Sequence, residues 1–322
     1  MPAAPEVTVV IPTRNRWDLL STAALPSALG QGGVEIEVVV VDDGSTDQTP
    51  DELRASSDPR LRLVRHEQPR GVARARNAGL ASARAEWVAF LDDDDLWAPE
   101  KLRVQLAAAR ARGASFVYSG AAAVTEDRAW LYSLAPPDAD VLPSLLLQRN
   151  VLWGGCSNVV VERDVVRSLG GFDERLFQLA DWDLWIRLSQ TTVGCAWPEV
   201  LVACIEHPRS MLLTTLEDVF IEFEYIERKH RSARKLAGVS LDHRTFTRWV
   251  ALGHRRAGRR FRASRLYSTA AIRGRDPGSL VRALAAPFGE RPVRWARDAV
   301  RRRASDESSE LSREPPWLVR YR

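Results

Sequence analysis

Four consecutive carboxylates, Asp92-Asp93-Asp94-Asp95, close the apolar run Trp87-Val88-Ala89-Phe90-Leu91. Adjacent carboxylates repel one another unless a cation or water separates them. Alternate members of such a run, Asp92 and Asp94, can direct their oxygens to one side, the arrangement a hard divalent ion needs. Mg²⁺ or Mn²⁺ shared between one or two carboxylates and a diphosphate fits it, and a solvated acidic turn is the competing reading. A second acidic turn, Asp42-Asp43-Gly44-Ser45-Thr46-Asp47, follows another apolar run. It reads either as a binding turn or as an Asx-type turn in which Ser45 or Thr46 caps the next helix.

Two further segments can face the same ligand. Pro12-Thr13-Arg14-Asn15 is a polar turn after the first apolar run. In Gly71-Val72-Ala73-Arg74-Ala75-Arg76-Asn77-Ala78-Gly79 the first glycine lets the backbone turn into a helix, whose N-terminus favours phosphate. Arg74 or Arg76 adds a charge-assisted contact, and either reads equally well as a solvated helix residue. No G-x-G-x-x-G follows the first strand and no Walker sequence occurs, which argues against a nicotinamide dehydrogenase and a P-loop enzyme.

These turns need a scaffold that gathers them. Strands are expected at Val7–Ile11, Ile36–Val41, Leu61–Arg65, Trp87–Leu91 and Ser115–Tyr118, most apolar on both faces as in a covered parallel sheet. Helices are expected at Trp17–Leu29, Thr46–Ser56, Val72–Ala83 and Pro99–Arg112, with Pro99 at a first helical position. This alternation predicts an α/β fold with a doubly wound, mostly parallel sheet, which binds ligands beyond the carboxyl ends of its strands. The stretch from Ala121 to Cys204 mixes short strands with helices near Val141–Gln148 and Asp181–Ser189. Past Met211 the pattern is helical and basic, and 304–322 reads as a loose polar tail.

The 322 residues carry a net charge of only +4, yet the charge is divided. Between Tyr225 and Arg303 stand 22 Lys/Arg against 5 Asp/Glu, leaving 24 basic and 37 acidic residues elsewhere. The basic end reads as a solvated helical cap, as a surface for an anionic membrane, or, least favoured, as a polyanion site; it carries no nucleic-acid motif. Cys156, Cys195 and Cys204 have neither metal-ligand spacing nor an even count and read as buried free thiols. No signal peptide or membrane-spanning run is evident, so a cytoplasmic protein, peripheral at the inner membrane face, is expected.

The series VTVVIPTRNR, VVVDDGSTD, GVARARNAG and WVAFLDDDDLWAPEKL resembles the nucleotide-sugar half of family 2 glycosyltransferases with the GT-A fold. GGFDERLFQLADWDLWIRLS resembles that family's acceptor-side segment, and the likeness runs from about Val7 to Ser210. It implies a catalytic domain over 1–210, with a nucleotide-sugar half (1–120) and an acceptor half (121–210), followed by a helical basic region (211–303). It further implies an inverting, metal-assisted transfer from a UDP- or dTDP-type sugar donor to an acceptor hydroxyl or amine. Thr13, Asn15 and Asp43 would hold base and ribose, with Pro12, Arg76 and Asp93 also on the nucleotide. Asp92 and Asp94 would hold Mg²⁺ or Mn²⁺, joined by His207, a residue that reads equally as structural. Asp181 matches the family's catalytic base, although Ala180 stands where an acidic residue is usual; the competing reading makes Asp181 only a helix cap. Trp153-Gly154-Gly155 reads either as an acceptor wall or as a core turn. The acceptor is a glycan, a lipid-linked molecule or a small metabolite. A nucleotidyltransferase on a similar sheet and an inactive nucleotide-sugar-binding scaffold are the alternatives.

Overall fold

Every residue of Val7–Thr13 (β1) and Ile36–Asp43 (β2) is buried, as a strand covered by helices on both faces requires. The computed structural model describes residues 4–207, 209–210, 218–274, 276–288 and 313–322. Two compact units are present, one of residues 1–146, 150–206 and 313–322, the other of 147–149 and 207–312.

In the first unit β1 and β2 are joined by α1, in which Trp17–Leu19 and Leu25–Leu29 flank a π-helical stretch, Leu20–Ala24. After β2 come Thr49–Ala55 (α2), Leu61–His66 (β3), Val72–Ser82 (α3), Trp87–Phe90 (β4) and Asp95–Trp97 (β5). Lys101–Arg112 (α4), Phe116–Thr125 (β6), Trp130–Leu134 (β7), Leu142–Gln148 (α5), Gly155–Asn158 (α6) and Val160–Glu162 (β8) follow. Arg163–Ser168 (α7), Ala180–Thr191 (α8) and Gly194–Glu206 (β9) complete it. The sheet order is β3-β2-β1-β4-β8-β6-β9-β5, with β7 on β6. β1, β2, β3 and β4 are mutually parallel, β6 is parallel to β9, and β8 is antiparallel to both β4 and β6. This is the expected doubly wound α/β architecture.

Parallel register is what assembles the site. Thr13 pairs with Asp42 and Asp43 with His66, so the carboxyl ends of three strands lie side by side. β4 runs the same way on the other flank of β1 and delivers the acidic run to that edge. α3 lies close on β1 because Gly79 has no side chain: a Cβ there would stand 2.2 Å from Val10 Cγ1.

Several local expectations are corrected. α2 starts at Thr49 rather than Thr46, without a side-chain cap; Ser45 Oγ instead accepts the Asn15 N–H at 2.9 Å. α4 starts at Lys101, two residues after Pro99. The loose tail expected over 304–322 is, over Pro316–Tyr321, a 3₁₀ helix with Leu318 fully buried. Its cause is the apolar set Trp317, Leu318 and Tyr321, which packs with Leu96, Ala122 and Ala203. Trp317 Nε1–H donates to Val200 O at 2.7 Å and the Tyr321 hydroxyl to Trp97 O at 2.9 Å. Cys156 and Cys195 are buried free thiols, while Cys204 is partly exposed.

The second unit contains Val219–Lys229 (α9), Arg231–Ala237 (α10), His243–Arg256 (α11), Arg260–Gly274 (α12) and Pro277–Ala285 (α13). Phe223 stacks on Phe246 at 3.8 Å, and Ala251, Ala263, Tyr267, Ala283 and Ala286 form a small core of their own. Among the described residues no helix is long and apolar enough to cross a membrane.

Candidate functional site

The acidic run alternates in exposure. Asp93 and Asp95 are buried, whereas the side chains of Asp92 and Asp94 remain 33% and 17% exposed. Each carboxylate has a protein partner on its flank. Asp92 Oδ1 meets Arg76 Nη2 at 2.5 Å, and Arg16 Nη1 bridges Asp93 Oδ1 (3.1 Å) and Asp94 Oδ2 (2.9 Å). Thr13 Oγ1 donates to Asp93 Oδ2 at 2.8 Å, tying the first-strand turn to the run. Ser157 Oγ donates to Asp95 at 2.5 Å and accepts the Asp92 N–H at 3.0 Å. Burial, with repulsion from Asp94, pushes Asp93 up to about 7 against the pull of Arg16 and Thr13. Burial, with Asp94 and Asp92, raises Asp95 well above the carboxylate range.

Two guanidiniums therefore face four carboxylates, and the two members left accessible are the alternate ones, Asp92 and Asp94. This donor set suits a hard divalent cation in charge and in oxygen chemistry. Among the described residues no three His, Cys, Asp or Glu side chains converge into a preformed cage. A Mg²⁺ or Mn²⁺ ion held by one or two carboxylates takes its remaining ligands from diphosphate and water, so these residues fit that ion. His207, buried, begins the second unit.

Asp43 is committed to its own loop. His66 Nδ1 lies 2.7 Å from Oδ1, and the N–H groups of Arg70 and Gly71 donate to Oδ1 and Oδ2 at 2.9 and 2.8 Å. Burial pushes this carboxyl up, but those hydrogen bonds outweigh it and hold Asp43 below its ordinary value. Gly71, at φ +95°, caps α3. Asn15, at φ +53°, accepts the Thr46 N–H at 2.7 Å and so links the turns after β1 and β2. Pro12 is a buried residue of β1.

The two arginines left open by the sequence part company. Arg74 is exposed and pairs with Glu174 at 2.9 Å. Arg76 is 4% exposed, pairs with Asp92 and lies over the Phe172 ring at 5.5 Å. Asn77 clasps the glycine-rich loop ahead of α8: it donates to Phe172 O and accepts the Phe172 N–H, at 3.0 and 2.9 Å. Arg187, paired with the buried Asp183 at 2.8 Å, holds the same loop through Leu169 O and Gly171 O.

Asp181 is not a cap. α8 begins at Ala180 with Leu179 as its uncapped N-cap residue, and Asp181 Oδ1 accepts the adjoining Trp182 N–H at 2.6 Å. Its burial pushes the carboxyl up to about 6 even though Arg76 and the Trp182 N–H pull it down. Gly155, at φ +49°, opens the space before it; a Cβ there would sit 3.1 Å from Asp181 Oδ2. Sequence reasoning missed Arg16, His66 and Ser157. Arg16 lies inside the VTVVIPTRNR run and His66 one residue past the expected strand Leu61–Arg65, whereas Ser157 gave no signal.

The sequence model described as Glycosyl transferase family 2 matches residues 8–170. The succinoglycan biosynthesis protein ExoO of Rhizobium meliloti is 40% identical over 153 residues, 46% of this chain and 44% of that protein. The UDP-Glc:alpha-D-GlcNAc-diphosphoundecaprenol beta-1,3-glucosyltransferase WfgD of Escherichia coli is 30% identical over 56% of this chain and 69% of its own length. The putative teichuronic acid biosynthesis glycosyltransferase TuaG of Bacillus subtilis is 32% identical over 59% and 75%. The match thus spans less than half of ExoO but more than two-thirds of the other two. In fold, S. aureus TarS 1–349 in complex with UDP-GlcNAc aligns at a TM-score of 0.57 and 17% identity, over 87% of this chain and 80% of that one. The Pyrobaculum calidifontis mannosyltransferase PcManGT, in complex with GDP-Man and Mn2+, aligns at 0.51 and 21% identity, over 95% and 89%.

Proposed function

The chain belongs to glycosyltransferase family 2, and from that premise we propose that it moves a sugar, with inversion, from a UDP- or dTDP-type donor to a lipid-linked acceptor. The carrying observation is the Asp181 carboxyl, pushed up to about 6 at the head of α8 within the field of Arg76 and Asp92. A group so placed suits a general base near neutrality. In the proposed step Asp181 takes the proton of the acceptor hydroxyl or amine. The acceptor atom bonds to the anomeric carbon as the bond from that carbon to the diphosphate oxygen breaks. Asp92 and Asp94 would hold a Mg²⁺ or Mn²⁺ ion, which when bound supplies charge neutralisation to the leaving diphosphate. Thr13, Asn15 and Asp43, with Pro12, Arg76 and Asp93, shape the nucleotide side. The TarS complex and the name of the E. coli relative support a uridine nucleotide and a lipid-linked acceptor respectively. The expected setting is the cytoplasm at the inner membrane face.

Melting temperature against a panel of nucleoside diphosphates and nucleotide sugars, with and without Mn²⁺, tests this directly, since a native-state ligand stabilises by mass action. A shift for the uridine or thymidine series is expected, enlarged by metal and lost in Asp94→Ala. Asp181→Asn should keep that shift while transfer falls by at least about a hundredfold. Near-normal transfer by Asp181→Asn would remove Asp181 from the role of base. No shift across the panel would favour the inactive scaffold.

A further inference from the structure

α13 and the 3₁₀ turn Ala286–Phe288 bury Ser279, Ala283 and Ala286. They turn Leu280, Val281, Leu284 and Phe288 outward, 51%, 52%, 68% and 77% exposed. The spacing i, i+1, i+4, i+8 sets these four along one side of the turn. α12 buries Ala263, Tyr267, Ala270 and Ala271 and exposes Phe261 and Ile272 beside Arg262, Arg265 and Arg273. At 3.6 residues per turn those five exposed positions fall within an arc of about 120°.

Charge tells what covers such a surface. From Gly258 to Phe288 the chain has seven arginines and one acid, Asp276. That acid is engaged locally: it accepts from Gly278 N–H and Ser279 Oγ at 3.0 and 2.6 Å and faces Arg248 at 3.4 Å. Among the described residues Arg259, Arg260, Arg265 and Arg273 meet no carboxylate. The stretch that follows in sequence, 289–312, carries six arginines against five acids, a near balance that does not offset the arginines of this face. Exposed apolar side chains interleaved with arginine match one surface, a bilayer whose headgroups are anionic. A nucleic acid would engage the arginines but gain nothing from Leu280, Leu284 and Phe288.

We infer that α12 and α13 form a docking face for an anionic membrane, with Leu280, Val281, Leu284 and Phe288 entering the headgroup–acyl boundary and Arg262, Arg265 and Arg273 meeting lipid phosphates. Such docking serves the lipid-linked acceptor proposed above and rests on that reading for its purpose.

Flotation of the full chain with vesicles of phosphatidylcholine, alone or with about 30% phosphatidylglycerol, tests the face. Binding to the anionic vesicles should be at least about tenfold tighter and weaken with salt. Leu280→Asp with Leu284→Asp, both at exposed positions, should lose about tenfold or more of that binding while melting temperature and the UDP-induced shift stay unchanged. Arg265→Glu with Arg273→Glu should abolish the preference for anionic lipid. Wild-type-like vesicle binding by the leucine double variant overturns the inference. So does a wild-type dimer that this variant dissociates, because a second copy then covers the face. Binding to a DNA duplex but not to vesicles also overturns it. Vesicle binding without transfer to any lipid-linked acceptor sinks the acceptor reading and leaves the docking face standing. Transfer to a detergent-dispersed lipid acceptor without vesicle binding does the reverse.

Discussion

In its proposed role as base, Asp181 sets chemistry against stability. Burial pushes its carboxyl up to about 6, against about 3.9 for a free aspartate, so the ionised form is less favourable folded than unfolded. Above pH 6 that difference subtracts from stability. Between about pH 6 and 4 the folded protein takes up the proton first and the penalty fades. Asp181→Asn should therefore be more stable than wild type at pH 8 by about 1–2 kcal/mol, after allowance for the partial exposure of the group, and equal to it near pH 4. Urea unfolding at the two pH values measures this. In the proposed mechanism the same group sets the acid limb of kcat/KM, which should lie no higher than about 6 because a bound cation would move it further down. An acid limb above pH 7 would mean that another group titrates. Asp43 has the opposite sign: its depressed pKa contributes stability at neutral pH that is lost on acidification below the ordinary aspartate range.

The link between α3 and the loop ahead of α8 is an element-scale device. Asn77 on α3 holds the backbone of Phe172 in both directions, and Gly171, at φ +71°, leaves room for its side chain. Asn77→Ala leaves a buried N–H and carbonyl without partners and should cost about 1–3 kcal/mol. Because that loop leads into α8, turnover should fall several-fold while donor binding, read from the UDP-induced melting shift, changes little. Equal losses in both would assign Asn77 to the donor side instead. The elements of the proposed nucleotide side were legible, since β1, β2 and β4 are largely apolar, fully buried runs ended by polar turns, whereas β3, with Arg62 and Arg65, is a partly exposed edge strand. β5 was hidden because Asp95-Leu96-Trp97 looks like the tail of an acidic turn. β9 was obscured by Pro198 and Glu199 where its register on β6 shifts. The acidic run and Asp181 were readable by residue type. The pairing of Arg16 with Asp93 and Asp94 was not, because it depends on a contact 77 and 78 residues apart that no local pattern encodes.

On the scale of the whole chain, charge and connectivity are distributed differently. Acidic residues collect around the catalytic unit and basic ones in the helical unit, which suits a polar donor in one and an anionic surface in the other. Connectivity crosses that division in sequence, since residues 313–322 return to the catalytic unit. Leu318 is fully buried there and Trp317 is partly covered, so removing 313–322 should cost about 3 kcal/mol or more. At this size the melting temperature should drop by roughly 6–12 °C. Calorimetry of the shortened chain checks this, and an unchanged melting temperature would show that the segment contributes no stability.

The hydrogen bond from Tyr321 to Trp97 spans 224 residues and steadies β5, the short strand that begins at Asp95. During synthesis the acidic loop is made early, yet this support arrives only when residue 321 has left the ribosome. A chain released before that point has every proposed catalytic residue but lacks this support for its acidic loop. Order at the acidic loop thus draws on both ends of the chain, and shortening it before residue 321 removes that support while leaving every proposed site residue in place.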